Sequence, residues 1–125
     1  MQLSQERPDY TWVLRGADGQ RARVNERMLE RSFALAPDRL IEDWAAPATA
    51  AALEPAHLDA LLALAPELLV LGTGQRQVFP SPAVMAACLT RGIGIEVMDN
   101  AAAARTYNVL AGEGRRVVAG FVLAP

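Results

Sequence analysis

Apolar and polar positions change their period about halfway along the chain. From residue 66 onward, continuous apolar runs of strand length alternate with stretches of helical character. The runs at 67–71, 93–98 and 116–123 sit between glycine, proline or polar turn residues. Such runs read as strands covered on both faces, because an alternating pattern is needed only where one face meets water. Between the first two, Ser81 and Pro82 open a helix that Gly92 closes near Arg91. The residue types suit those places: a small hydroxyl at the cap, and a ring without an N–H at the first helical position. Between the last two, Asp99 or Asn100 caps a helix that runs through four alanines and ends at Gly112. On it, positions 103, 106, 107 and 110 share one side, where Tyr107 and Leu110 can pack on a sheet. Arg105 and Asn108, three apart, share the other.

The first half is choppier. Residues 10–14 are β-rich, Gly16-Ala17-Asp18-Gly19 is a turn, and 20–25 alternates around Ala22 and Val24, which predicts a hairpin. Residues 32–36 read as a strand stopped by Pro37, and 41–44 as one more short strand. Residues 45–54 form a connection. Pro55 opens a helix in which Leu58, Leu61, Leu62 and Ala65 make one apolar face before Pro66 ends it.

A β-rich third followed by alternating helices and strands implies parallel pairing with right-handed crossovers. The expected architecture is α/β. It is a single three-layer domain over 10–125, with a mixed sheet, an N-terminal antiparallel hairpin and C-terminal βαβ units. Residues 1–9 are expected to form a flexible leader.

Composition narrows the function. The chain has 125 residues, 52% of them hydrophobic and 21% charged, enough for a real core. A net charge of −2 and a pI near 5.3 give no electrostatic case for nucleic acid. All twelve basic residues are arginine, which removes Schiff-base lysine chemistry and a lysine-dependent phosphate loop and is equally a mark of a GC-rich genome. One cysteine, Cys88, and one histidine, His57, exclude an internal disulfide, a cysteine zinc site and a multi-histidine metal site. Cys88 fits a buried apolar role in a helix, and His57 a surface one. No cofactor, metal or catalytic residue is assigned. No apolar run approaches the roughly 20 residues that span a bilayer, and the N-terminus lacks a signal-peptide apolar region, so a cytoplasmic bacterial-type protein is expected.

In open parallel sheets, ligands bind beyond the carboxyl ends of the strands. Two loops leave such ends here: Gly72-Thr73-Gly74 with Gln75 and Arg76, and Asp99-Asn100. If their strands are neighbours, these residues and Arg105 can line one pocket, with free helix-start N–H groups favouring an anion. The same residues serve purely structural ends equally well: a strand-end turn for Gly72-Thr73-Gly74, helix capping for Asp99 and Asn100, and an ion pair with Asp99 or Glu96 for Arg105. Glu113 is expected to cap its helix or to pair with Arg115 or Arg116.

Several of these stretches together resemble a known family. They are Leu69-Val70-Leu71-Gly72-Thr73-Gly74, Gly94-Ile95-Glu96-Val97-Met98-Asp99, Ala103-Ala104-Arg105-Thr106-Tyr107-Asn108-Val109-Leu110 and Glu113-Gly114-Arg115-Arg116. The family contains the mitochondrial complex I (NADH dehydrogenase) assembly factor 3, the adipogenesis-associated domain protein and many bacterial proteins without assigned activity. The resemblance covers about residues 10–123. It implies a compact α/β fold and protein binding rather than chemistry. The family's common polar positions fall on Gly72, Thr73, Gly74, Asp99, Arg105, Thr106, Asn108 and Glu113, none of them an established catalytic residue.

Two functions follow. One is a non-catalytic protein-interaction module, assembly-factor-like for a respiratory complex, with an apolar patch around Trp44 and Phe79 and an unidentified protein partner. The other is a binder of, or enzyme on, a small anionic metabolite at the strand-end loops. The candidate pocket is Gly72, Thr73, Gly74, Arg76, Asp99, Asn100, Arg105, Thr106 and Asn108, in a monomer or homodimer.

Overall fold

A computed structural model describes residues 10–124; the expected leader, 1–9, lies outside the described residues. Three short strands, β1 (Leu14–Ala17), β2 (Ala22–Val24) and β3 (Arg27–Leu29), form an antiparallel sheet in that order. The main sheet has β4 (Phe33–Ala36), β5 (Arg39–Ile41), β6 (Leu68–Gly72), β7 (Gly94–Met98) and β8 (Val117–Phe121). Its strand order is β5-β4-β8-β6-β7. Strand β6 pairs in parallel with both β7 and β8, while β4 runs antiparallel to β8 and to β5. The helices are α1 (Asp59–Leu62), α2 (Pro82–Leu89) and α3 (Asn100–Gly112).

The α/β class, the mixed sheet and the C-terminal βαβ order are as the sequence predicts. All five residues of β6 and of β8 are buried, because layers cover both faces of the sheet. On one face, Val70, Val117, Ala119 and Phe121 pack under α3 (Ala103, Ala104, Tyr107, Ala111) and the small sheet (Leu14, Val24, Leu29). On the other, Leu69, Leu71, Val97 and Val118 pack under α2 (Val84, Cys88), α1 (Leu61, Leu62) and Trp44. Side chains alternate across a strand, so neighbours along β6 go to opposite layers. Phe33 and Phe121, opposite each other on β4 and β8, stack with centroids 4.9 Å apart.

The first half departs from expectation in four places. The hairpin gains a third strand and forms a sheet of its own; β4 and β5 supply the antiparallel part of the main sheet. The predicted strand at 10–14 is instead a strap, in which the Thr11 and Trp12 N–H groups both donate to the Pro37 carbonyl. Strand β1 therefore starts at Leu14 and takes in Gly16 and Ala17; the turn moves on to Asp18, whose carboxylate accepts from the Gln20 and Arg21 N–H groups. The predicted strand at 41–44 is Arg39–Ile41, and Trp44 leaves it to enter the core, donating its indole N–H to the His57 carbonyl at 2.8 Å. The predicted helix after Pro55 begins as a 3₁₀ turn and holds α-helical form only over α1; Ala65, at φ +55°, has left the helix before Pro66, where a proline disfavours helical backbone in the residue ahead of it.

Helix α2 joins β6 to β7 along the layer holding α1. Helix α3 joins β7 to β8 along the opposite layer. The loops that leave the carboxyl ends of β6 and β7, neighbours in the sheet, therefore diverge to opposite faces.

Candidate functional site

Divergence of two adjacent parallel strands is the arrangement that opens a ligand crevice in an open α/β sheet. The expected adjacency of the two loops is met. The Thr73 N–H donates to the Met98 carbonyl at 2.9 Å, and the Asn100 N–H to the Gly74 carbonyl at 2.8 Å. Asp99 is the N-cap of α3, its Oδ1 accepting from the Ala102 N–H at 2.8 Å, and Asn100 is the first residue inside the helix.

Asn100 fills the crevice. It is fully buried; its Oδ1 accepts from the Gly74 N–H at 3.0 Å. Its Nδ2 donates to the Asp18 carbonyl at 2.8 Å and to the Val122 carbonyl at 3.0 Å. Gly72 is what admits it: a Cβ there would stand 2.4 Å from Asn100 Oδ1 and 2.9 Å from the Phe121 ring. Thr73, also buried, donates its hydroxyl to the Arg76 carbonyl at 2.5 Å, and its Oγ1 accepts from the Val78 N–H at 2.9 Å. The Gln77 side chain closes the far side by donating to the Val97 carbonyl at 2.9 Å.

Arg76 is exposed in an open cleft of about 320 Å³ that Thr73 and Gly74 also line, with Gly19, Gln20, Thr49 and Gln75. The other candidate residues stand elsewhere. Arg105 and Asn108 border a second cleft of about 290 Å³ between β1 and α3. Asn108 does not face solvent beside Arg105, as the helical spacing suggests. It turns to β1 and stands in for a strand partner: Nδ2 donates to the Leu14 carbonyl at 2.7 Å, while Oδ1 accepts from the Leu14 N–H and the Tyr10 hydroxyl, each at 3.1 Å. Next to it the buried Tyr107 donates its hydroxyl to the Trp12 carbonyl at 2.6 Å. Burial pushes the Tyr107 phenol well above its usual range. Thr106 is half-buried on the same helix.

Among the described residues Arg105 makes no ion pair, with Asp99, Glu96 or any other group. Arg115 pairs with Glu67 at 3.0 Å and Arg116 with Asp38 at 2.5 Å, so neither meets Glu113. Guanidinium contact holds the Asp38 carboxyl below its ordinary value. Cys88 is buried, and its thiol is pushed up by that burial. His57 is half-buried, its Nδ1 accepting from the Glu54 N–H at 2.9 Å. Trp44 is buried while Phe79 is 63% exposed, which divides the expected apolar patch.

Sequence reasoning thus joined two groups that the fold separates: Gly72, Thr73, Gly74, Asp99 and Asn100 in the crevice with Arg76 near its rim, and Arg105, Thr106 and Asn108 along α3 toward β1. Asp18 and Val122 around Asn100, and Arg15 and Tyr10 around Asn108, are not among the expected residues. Only the Asp18-Gly19 turn carried a local signal; the rest are long-range contacts that no periodicity encodes.

The chain matches, over residues 14–122, the family described as a protein of unknown function (DUF498/DUF598), and it belongs to that family. It is 44% identical over 59 residues to the bovine (Bos taurus) NADH dehydrogenase [ubiquinone] 1 alpha subcomplex assembly factor 3, a match covering 47% of this chain and 31% of that protein. It is 34% identical over 65 residues to the 13 kDa major membrane protein of Francisella tularensis, covering 52% of this chain and 53% of that one. The matches therefore span about half and about a third of these relatives' lengths. Among solved structures, the NMR structure of XCC1710 from Xanthomonas campestris is 60% identical, with a TM-score of 0.82, over 98% of this chain and 92% of that one. The expected family resemblance is met on both the bacterial and the mitochondrial side. Among the described residues no helix is long and apolar enough to cross a membrane.

Proposed function

We propose that the chain is a non-catalytic protein-interaction module with an assembly-factor-like role, its client a respiratory complex and its place the cytoplasm. The bovine relative's name supports the role. The observation that carries the reading is helix α2. All eight of its side chains, Pro-Ala-Val-Met-Ala-Ala-Cys-Leu, are apolar. Val84 and Cys88 face the core, yet Pro82, Ala83, Ala86 and Leu89 are exposed, and Phe79 stands exposed just before the helix. Within the helix, Pro82, Ala86 and Leu89 fall four and three apart, on one stripe, with Ala83 beside it. A helix apolar on every side is ordinarily covered on every side, and a partner's apolar surface supplies the missing cover.

The test is capture from native lysate at near-endogenous expression, with wild type beside the double variant Phe79→Ser/Leu89→Ser. The reading expects a stable partner held by the wild type and lost from the variant, with both proteins melting alike. No partner for the wild type, or equal capture by both, would count against it. Recovery of the chain from the periplasm would overturn the cytoplasmic assignment.

A further inference from the structure

The cleft between β1 and α3 has features that the interaction reading leaves unused. Register along β1 slips at one place: Leu14 lies opposite Val24 and Gly16 opposite Arg23, so Arg15 is an extra residue in the strand. A bulge of this kind turns the extra side chain out of the strand's alternation and commonly re-aims it at a site. The bulge is held from outside the sheet, because Asn108 takes both backbone groups of Leu14 just before it.

Arg15 is thereby placed along the same cleft as Arg105. The other lining residues are Leu14, Gly16, Ala17, Ala101, Ala104 and Asn108; no carboxylate is among them. The Asn108 amide is held by Leu14 and Tyr10, so the two guanidinium groups are the charged groups of the cleft. Of the other described arginines, Arg27, Arg31, Arg115 and Arg116 pair with carboxylates, while Arg21, Arg23, Arg39, Arg76 and Arg91 do not; what sets Arg15 and Arg105 apart is that they line one cleft together. Among the described residues, neither Arg15 nor Arg105 has an ion pair. Two like charges along a small-residue floor are relieved by an anion between them, and a planar guanidinium matches two oxygens at once.

We propose that this cleft binds a small oxyanion, a phosphate or a dicarboxylate, held between Arg15 and Arg105. The site is separate from the α2 stripe and does not depend on a protein partner. Asn108 is a positioning residue in it: it fixes the bulge that aims Arg15.

The experiment is a titration of the ¹⁵N-labelled chain with inorganic phosphate in one arm and succinate in the other, at constant ionic strength. Wild type is compared with Arg15→Ala, Arg105→Ala and Arg91→Ala, the last removing an exposed arginine outside the cleft. The expected result is saturable shifts of the Gly16, Ala101 and Arg105 amides. Affinity should fall about tenfold or more in each cleft variant and be unchanged in Arg91→Ala. Saturation in one arm alone identifies the ligand class as phosphate or carboxylate. Non-saturating shifts in both arms, or equal affinity in all four proteins, overturns the proposal. Unchanged spectra of the free variants away from the substitutions show that the fold is intact.

Discussion

Helix α3 borders two hollows, and they treat polar groups in opposite ways. At its first residue Asn100 fills the space between the two strand-end loops, and its side chain makes three hydrogen bonds to backbone groups from three separate parts of the chain. Further along, at β1, Asn108 is also held by three hydrogen bonds, but Arg15 and Arg105 beside it have no acidic partner among the described residues. A buried amide must find partners because it has no water, whereas an exposed guanidinium need not. A polar residue at the customary place for a ligand is thus no sign of one. The question is whether its bonding capacity is already taken up by the fold.

The contrast can be tested from its strongest side to its weakest. Asn100→Ala should lower stability by about 3 kcal/mol, roughly 1 for each lost bond. Urea unfolding reads this, and a loss under about 1 kcal/mol would mean that water replaces the amide and the crevice can open. Gly72→Ala should cost about 2 kcal/mol through overpacking against Asn100 and Phe121. In the Asn100→Ala background that cost should shrink, because the atom nearest the new methyl is gone; strict additivity in the double-mutant cycle would disprove the contact.

Asn108→Ala should cost about 1.5 kcal/mol, less than Asn100→Ala because water reaches its partly buried partners. It should also weaken oxyanion binding at Arg15; full affinity would remove its positioning role. Tyr107, its neighbour, sets an alkaline limit. Its folded phenol is raised, so the stabilisation is complete below the ordinary tyrosine value near pH 10. Above that pH the unfolded chain loses a proton that the folded one keeps, and stability falls by about 1.4 kcal/mol per pH unit. Tyr107→Phe should lessen that slope in alkaline urea titrations, the remainder coming from the Cys88 thiol and the Tyr10 phenol, both also raised by burial; an unchanged slope would assign it wholly to those groups. Arg105→Ala should change stability by less than about 0.5 kcal/mol. A clear drop in melting temperature would make Arg105 a structural residue and remove the distinction between the two hollows.

What the sequence disclosed follows the same physics. Strands β6, β7 and β8 and helix α3 were legible because each is long and its apolar pattern, glycines and capping residues agree. The small sheet was not. Strand β3 has three residues, and its turn uses Asn25 at φ +51° before Glu26 rather than an Asn-Gly pair. The short α1 was overread because Leu58, Leu61 and Leu62 keep helical spacing through a 3₁₀ turn. At the site, the residue types of the crevice were legible and their partners were not: Asn100 reaches back 82 residues to Asp18. The Arg15 bulge left no trace in the sequence, since it arises from a mismatch between two strands.

Strand β8 lies between β4 and β6, yet it is the last of the strands in chain order. As the chain leaves a ribosome, the β4–β5 hairpin and the β6–β7 pair are both made before the strand that joins them. Until β8 arrives, each half keeps a bare edge where the middle of the sheet will be, and such edges invite pairing with other chains. The main sheet can therefore close only once β8 has been made. Asn100 can take hold of the Val122 carbonyl only then, so the contact that fills the crevice waits for the strand that joins the two halves.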